Sequence, residues 1–160
     1  MLGAIHFGKT EIQREIKFDD SCYYHITTDE DWTINRLIGL SYGYHKHNSI
    51  SIGWRPSEKR LDKIDLFAII YYRGVRTADY FHTIPINEPF AVKIKVNEEH
   101  PLISFRVFEI ESGEKIANFM CNYQMPLFKL GYILNPKIKS KGRNNVGVYL
   151  SKSDFHYGSN

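Results

Sequence analysis

Cysteine is scarce in this 160-residue chain, where Cys22 and Cys121 are the only two. A disulfide-built scaffold is therefore excluded, and two free thiols in a reducing compartment are the expected state. No apolar run approaches the ~20 residues that a membrane helix requires. The first residues, Met-Leu-Gly-Ala-Ile-His-Phe-Gly, have neither the basic start nor the long apolar core of a signal peptide. A soluble protein without membrane attachment is the expectation. An excess of one charge is missing too, with 21 Lys+Arg against 18 Asp+Glu. What excess exists is local, in Lys137, Lys139, Lys141 and Arg143, without which the balance is 17 to 18. Proteins that bind nucleic acid in bulk show a broad basic face, and one basic loop does not make one.

What the chain has is aromatic and β-branched side chains, including eleven Tyr and ten Phe. These lose rotamer freedom in helices and fit pleated strands, so the class expected is all-β. A chain of this length can bury roughly 70% of its unfolded surface without a metal, and no repeat, low-complexity tract or linker divides it. One domain spanning 1–160 is expected.

Residues Leu37 to Tyr72 hold three successive strand patterns, read as a meander at the centre of the fold. In the first, Ile38, Leu40, Tyr42 and Tyr44 alternate with Gly39, Ser41 and Gly43, giving one bulky face and one nearly bare. In the second, Ile50, Ile52 and Trp54 oppose Ser49, Ser51, Gly53 and Arg55. The third, Lys63 to Arg73, is apolar on both sides, with Ile64, Leu66, Ala68, Ile70 and Tyr72 opposite Phe67, Ile69 and Tyr71. Such a strand must be covered on both faces.

Around this meander, Ala4–Phe7 and Glu11–Phe18 read as strands, followed by a further strand over Cys22–Ile26 and a helical turn over Thr27–Trp32. Val75–Ile84 is an irregular strand. Val92–Asn97 pairs with Leu102–Ile110, which turns through Gly113 into Lys115–Cys121. Asn122–Leu134 is an aromatic strand interrupted at Pro126. Asn135–Asn145 is the basic loop, Val146–Leu150 a last strand and Ser151–Asn160 a polar tail. About ten short strands at such spacing predict a two-sheet antiparallel β-sandwich of jelly-roll type.

The stretch Leu37-Ile38-Gly39-Leu40-Ser41-Tyr42-Gly43-Tyr44-His45-Lys46-His47-Asn48-Ser49 through Gly53-Trp54-Arg55, the Asp65 strand, and Leu130-Gly131-Tyr132-Ile133-Leu134-Asn135-Pro136 resemble small bacterial and phage sandwich proteins. These in turn are similar to the concanavalin A-like jelly rolls, which include legume lectins, laminin-G modules, family-16 glucanases and alginate-lyase relatives. The resemblance implies a jelly roll with one concave face, and leaves activity open, since that fold hosts lectins, enzymes and structural proteins. The glucanase pattern Glu-x-Asp-x-x-Glu has its nearest match at Lys63-Ile64-Asp65-Leu66-Phe67-Ala68, which lacks both essential glutamates. No Gln-Ile-His or Tyr-Phe-Lys-x-Gly strand of the lyase kind is present. Catalysis of these kinds is not expected.

Candidate binding residues follow from the meander. Aromatic rings on a concave sheet stack on sugar faces or anchor a protein interface. Tyr44, Trp54, Phe67 and Tyr71 are the candidates, with Asn48 and Arg55 as polar partners, although Tyr42 and Trp54 read as core in preference to surface. Phe67 and Tyr71 beside the bare Gly39, Ser41 and Gly43 face are the preferred surface. The loop of Lys137, Lys139, Lys141 and Arg143 reads first as a solvated loop, and its functional reading is attraction to an acidic glycan, a phosphate-bearing polymer or an acidic protein patch that salt would weaken. His45 and His47, two apart, form half a metal site that lacks an adjacent third ligand, and no metal or other cofactor is expected. Asp19, Asp20, Asp29, Glu30 and Asp31 read as helix-start acids in preference to a Ca²⁺ loop.

The reading is a non-catalytic recognition or assembly module that engages a glycan or protein partner through one sheet face. A structural subunit of a larger particle such as a phage virion, self-associating as a homo-oligomer, is the alternative. A polysaccharide-active enzyme whose site is not visible in sequence is the third.

Overall fold

A computed structural model describes residues 3–26, 33–138, 147–152 and 156–158, and it is an antiparallel β-sandwich. Among the described residues eleven strands run β1 Ile5–Phe7, β2 Glu11–Phe18, β3 Asn35–Ser41, β4 Ser49–Pro56, β5 Lys63–Tyr72, β6 Val75–Pro85, β7 Phe90–Asn97, β8 Leu102–Glu109, β9 Lys115–Asn122, β10 Leu130–Leu134 and β11 Val148–Ser151. One sheet has the order β1-β10-β3-β4-β5-β6 and the other β11-β2-β7-β8-β9. The predicted central meander is the heart of the first sheet, extended by β6. Among the described residues no helix is long and apolar enough to cross a membrane.

Period-2 alternation builds the core. Leu40, Ile50, Ile52, Trp54, Ile64, Leu66 and Ile84 of the six-stranded sheet face Ile12, Phe18, Val92, Ile94, Ile103, Phe105 and Val107 of the other. The ring of Phe18 bridges the layers, 5.0 Å from Trp54 and 5.9 Å from Phe90 between centroids. Each such side chain taken from water contributes on the order of 1.5–3 kcal/mol, and together they fix the register of both sheets.

Several expected boundaries move. The first meander strand spans Asn35–Ser41, because the chain turns after Ser41, where Tyr42 N–H donates to the Asn48 carbonyl. Tyr44 consequently sits in the connecting turn and is 62% exposed. Cys22–Ile26 is not a strand. A 3-10 turn covers Asp20–Cys22, capped by the Asp19 carboxylate accepting from Ser21 N–H at 2.9 Å. The helical turn expected over Thr27–Trp32, with Asp29, Glu30 and Asp31, lies outside the described residues, as do Lys139, Lys141 and Arg143. The segment expected to hold a Pro126-interrupted strand is instead a crossing from the second sheet to the first, with β10 confined to Leu130–Leu134.

The tail is less polar in its packing than in its composition. Tyr157 is buried against Phe108 and Ala91 on the outer face of the five-stranded sheet, and its carbonyl accepts from the buried Lys93 ammonium at 2.9 Å. Cys22 and Cys121 are both unbridged. Burial pushes their thiols up, to about 12 and about 11, which makes thiolate scarce at neutral pH.

Candidate functional site

The outer face of the six-stranded sheet carries Arg55, Phe67 and Tyr71 of the six residues selected in the meander, and register explains how. Arg55 pairs with Asp65, Gly53 with Phe67, Ser51 with Ile69 and Ser49 with Tyr71, so the small β4 row lies beside the bulky β5 row. The bare positions do not remain open. A Cβ added at Gly53 would run into the side chains of Ile34 and Ile69, which occupy that volume. Phe67 and Ile69 are 6% and 5% exposed. Among the described residues, Ile34 and the Arg55 guanidinium lie against this row.

Among the described residues a recess opens toward each end of this face. The larger, about 500 Å³, is lined by Arg55, Asp65, Phe67, Tyr80, His82 and Thr83, with Ser57, Glu58, Lys59 and Arg60 from the β4–β5 connection. That volume falls in the range typical of small-molecule sites. Tyr80 stands edge-on to Phe67 at 6.2 Å and is 56% exposed. Its hydroxyl lies 2.9 Å from Thr83 Oγ1, and Thr83 donates to the Asp65 carboxylate at 2.6 Å. The Arg55 guanidinium lies 5.0 Å above the Phe67 ring and donates to Glu58 at 2.8 Å. An exposed ring flanked by a carboxylate and a guanidinium suits a ligand with an apolar face and hydroxyls along its edge.

Burial pushes the His82 imidazole below its ordinary 6.5, so the folded chain protonates there less readily than the unfolded chain. His6 shifts the same way, chiefly by burial, with a bond to the Ser41 backbone opposing it and the charge of Lys9 adding a smaller push down. Stability from these groups is complete above about pH 6.5 and is lost as pH falls below it. Melting temperature is expected to drop between about pH 7 and pH 5.5, and less so in His82→Gln. Superimposable profiles for parent and variant would remove His82 from the explanation.

The smaller recess, about 70 Å³, lies between Arg36, His45, Lys46, Tyr71, Arg76 and Lys137, over Ser49, Ser51, Ile69, Ile34 and Leu134. Arg36 Nε donates to the Asn135 carbonyl at 2.9 Å, and Arg36 and Lys137 exchange both backbone hydrogen bonds. The basic segment thus begins with a bridge to β3, which plants Lys137 at the sheet.

Of the sequence-selected residues, Arg55 and Phe67 meet at the larger recess, and Tyr71 lines the smaller one. Trp54 points the opposite way and is 1% exposed in the core, as inward alternation with Ile50 and Ile52 requires. Asn48 is structural: its side-chain oxygen accepts from Arg73 N–H at 3.3 Å. That contact supports the tight β5–β6 turn, in which Arg73 and Gly74 both have positive φ, 51° and 84°. His45 and His47 sit in a turn and diverge, His45 Nδ1 to the Tyr132 hydroxyl at 2.8 Å and His47 Nδ1 to the Asn48 amide at 3.0 Å. Among the described residues no group of three or more His, Cys, Asp or Glu is placed to hold a metal. Sequence reasoning missed Tyr80, His82 and Thr83, whose strand bulges opposite Leu66 and Phe67 and so breaks its alternation.

No family model matches this sequence, and no curated protein does. Solved structures are similar in fold. A functionally unknown protein from Saccharomyces cerevisiae superposes with a TM-score of 0.53 at 9% identity, over 92% of this chain and 68% of that one. The carbohydrate-binding module CBM66 from Bacillus subtilis gives a TM-score of 0.46 at 12% identity, over 92% of this chain and 73% of that one.

Proposed function

We propose that this chain is a non-catalytic recognition module, a concanavalin A-like jelly roll that binds a glycan along the outer face of its six-stranded sheet. One observation carries the reading: the exposed Tyr80 ring stands beside Arg55 and Asp65 in a recess of about 500 Å³. A pyranose needs an aromatic platform together with planar charged groups that take neighbouring hydroxyls in pairs, and these are the parts the recess assembles. Phe67 abuts the platform edge-on from the neighbouring strand, and Tyr71 continues the face toward the smaller recess.

A second reading has an observation of its own. Ile5 and Phe7 on the edge strand β1, with Leu127, Phe128 and Leu130 beside it, are 79%, 80%, 100%, 61% and 46% exposed. An unpaired edge rich in apolar side chains is a natural assembly surface. A subunit of a larger particle would use this edge in preference to the Phe67 and Tyr71 face.

A glycan array at low and moderate salt, with sedimentation of the free chain, separates the two. Binding to a defined glycan that falls about tenfold or more in Tyr80→Ala, and is unchanged in Tyr149→Ala on the other sheet, is the expected result. Silence on the array with concentration-dependent association would reject glycan binding in favour of assembly.

A further inference from the structure

The smaller recess differs in kind from the larger. Four permanent cations converge there, Arg36, Lys46, Arg76 and Lys137, and among the described residues none of them forms an ion pair and no carboxylate lines the space. The larger recess is mixed, with Asp65 and Glu58 among its cations. Isolated like charges repel, so gathering four around one pocket raises the free energy of the empty protein and lowers it when an anion enters. Arg36 adds a second indication. It is half-buried, and burial lowers its pKa, opposed only by the phenols of Tyr132 and Tyr71. A guanidinium taken partly out of water, with no carboxylate facing it among the described residues, is the arrangement expected of a site whose counter-charge arrives with a ligand.

Size defines the ligand group. At about 70 Å³ the space is a small fraction of the 500 Å³ of the larger recess, and it suits a carboxylate or sulfate group better than a sugar ring. Position connects it to the glycan face, because Ser49, Ser51, Ile69 and Tyr71 lie on the strands that also carry Arg55 and Phe67. The two recesses are about four residues apart along β5, or ~13 Å, the reach of a short oligosaccharide. In sequence, Lys137 is followed by Lys139, Lys141 and Arg143 with no acid as far as Val146.

We propose that this recess is an anion subsite, and that the ligand of the module is an acidic glycan whose carboxylate or sulfate substituent docks between Arg36, Arg76, Lys46 and Lys137. The subsite rests on the reading of the outer face as a glycan surface. It adds the substrate class, polyuronate or sulfated polysaccharide, and assigns recognition of charge to one end of the face and of the ring to the other.

Calorimetric titration of the full chain tests it with three probes of equal length: an oligogalacturonate, its carboxyl-reduced neutral counterpart and a sulfated oligosaccharide, with inorganic sulfate titrated alongside. The double variant Lys46→Gln with Arg76→Gln changes two exposed side chains and leaves the core untouched; Lys115→Gln on the other sheet is the control. The expected result is that at least one acidic probe binds about tenfold or more tighter than the neutral one. The double variant should lose that advantage, with a shallower salt dependence, while Lys115→Gln keeps it. Equal binding of acidic and neutral probes, indifferent to the double variant, would overturn the anion subsite and leave glycan binding standing. Binding of inorganic sulfate with no oligosaccharide bound would overturn the glycan as ligand, and no binding of any probe would overturn both the subsite and the glycan reading.

Discussion

Trp54→Ala is expected to lower the unfolding free energy by about 3–5 kcal/mol, a large fraction of the roughly 5–15 kcal/mol that holds a typical domain folded. The indole is 1% exposed and rests 5.0 Å from the Phe18 ring, at the junction where both sheets and the stacked Phe18 and Phe90 meet. Removing it leaves a cavity that strands on both sides cannot close without losing their register, so transfer and cavity costs add. Urea denaturation followed by circular dichroism reads the change directly, through a lower midpoint at unchanged slope. Glycan binding by the remaining folded fraction should be unaltered. A cost under about 1 kcal/mol together with lost glycan binding would instead place Trp54 on the ligand surface.

Gly131→Ala is expected to cost about 3 kcal/mol, from overpacking and broken hydrogen bonds together. Gly131 is paired with His6 of β1 on one side, and on the other its missing Cβ would overlap the Ser41 carbonyl. The approach is close because Ser41 stitches the strands with its side chain: its hydroxyl donates to the Tyr132 carbonyl at 3.1 Å and accepts from Tyr132 N–H at 3.0 Å. A methyl group must push the backbone of Ser41 away and break both bonds. The effect should extend to the proposed anion subsite, since Tyr132 bonds His45 and Leu134 lines that recess. The variant should therefore melt earlier and bind acidic glycans more weakly, whereas Gly8→Ala, at positive φ in an open turn, should destabilise without affecting binding. A loss under about 0.5 kcal/mol for Gly131→Ala would show that β10 can shift outward.

The strands were legible because their signal is local. Alternation in Ser49–Arg55 or Val92–Asn97 needs only neighbouring residues, and a two-residue period allows one burial pattern per register. The covered outer face was not legible. Gly53 and Ser51 look bare in their own strand, and only the register of β4 on β5 sets Ile69 and Phe67 beside them. The candidate site was half legible. Arg55, Phe67 and Tyr71 belong to strands whose pattern was clear, whereas Tyr80, His82 and Thr83 belong to one whose bulge shifts the face halfway along. Tyr157 gave no signal within a polar tail, because the Phe108 and Ala91 surface that buries it lies far away in sequence.

By itself, then, the sequence determined the class and the layering: aromatic and β-branched residues at a period of two specify pleated strands, and their inward faces specify two sheets around one apolar interior. The tertiary structure alone decided which side chains meet. A recess is made by residues from β3, β4, β5, β6 and β10, whose proximity depends on strand order and register. The gathering of Arg36, Lys46, Arg76 and Lys137 around one small space is a property of that pairing and not of any local stretch. Burial and pairing free energies summed over the whole fold hold those charges together, against a repulsion that no short segment could sustain.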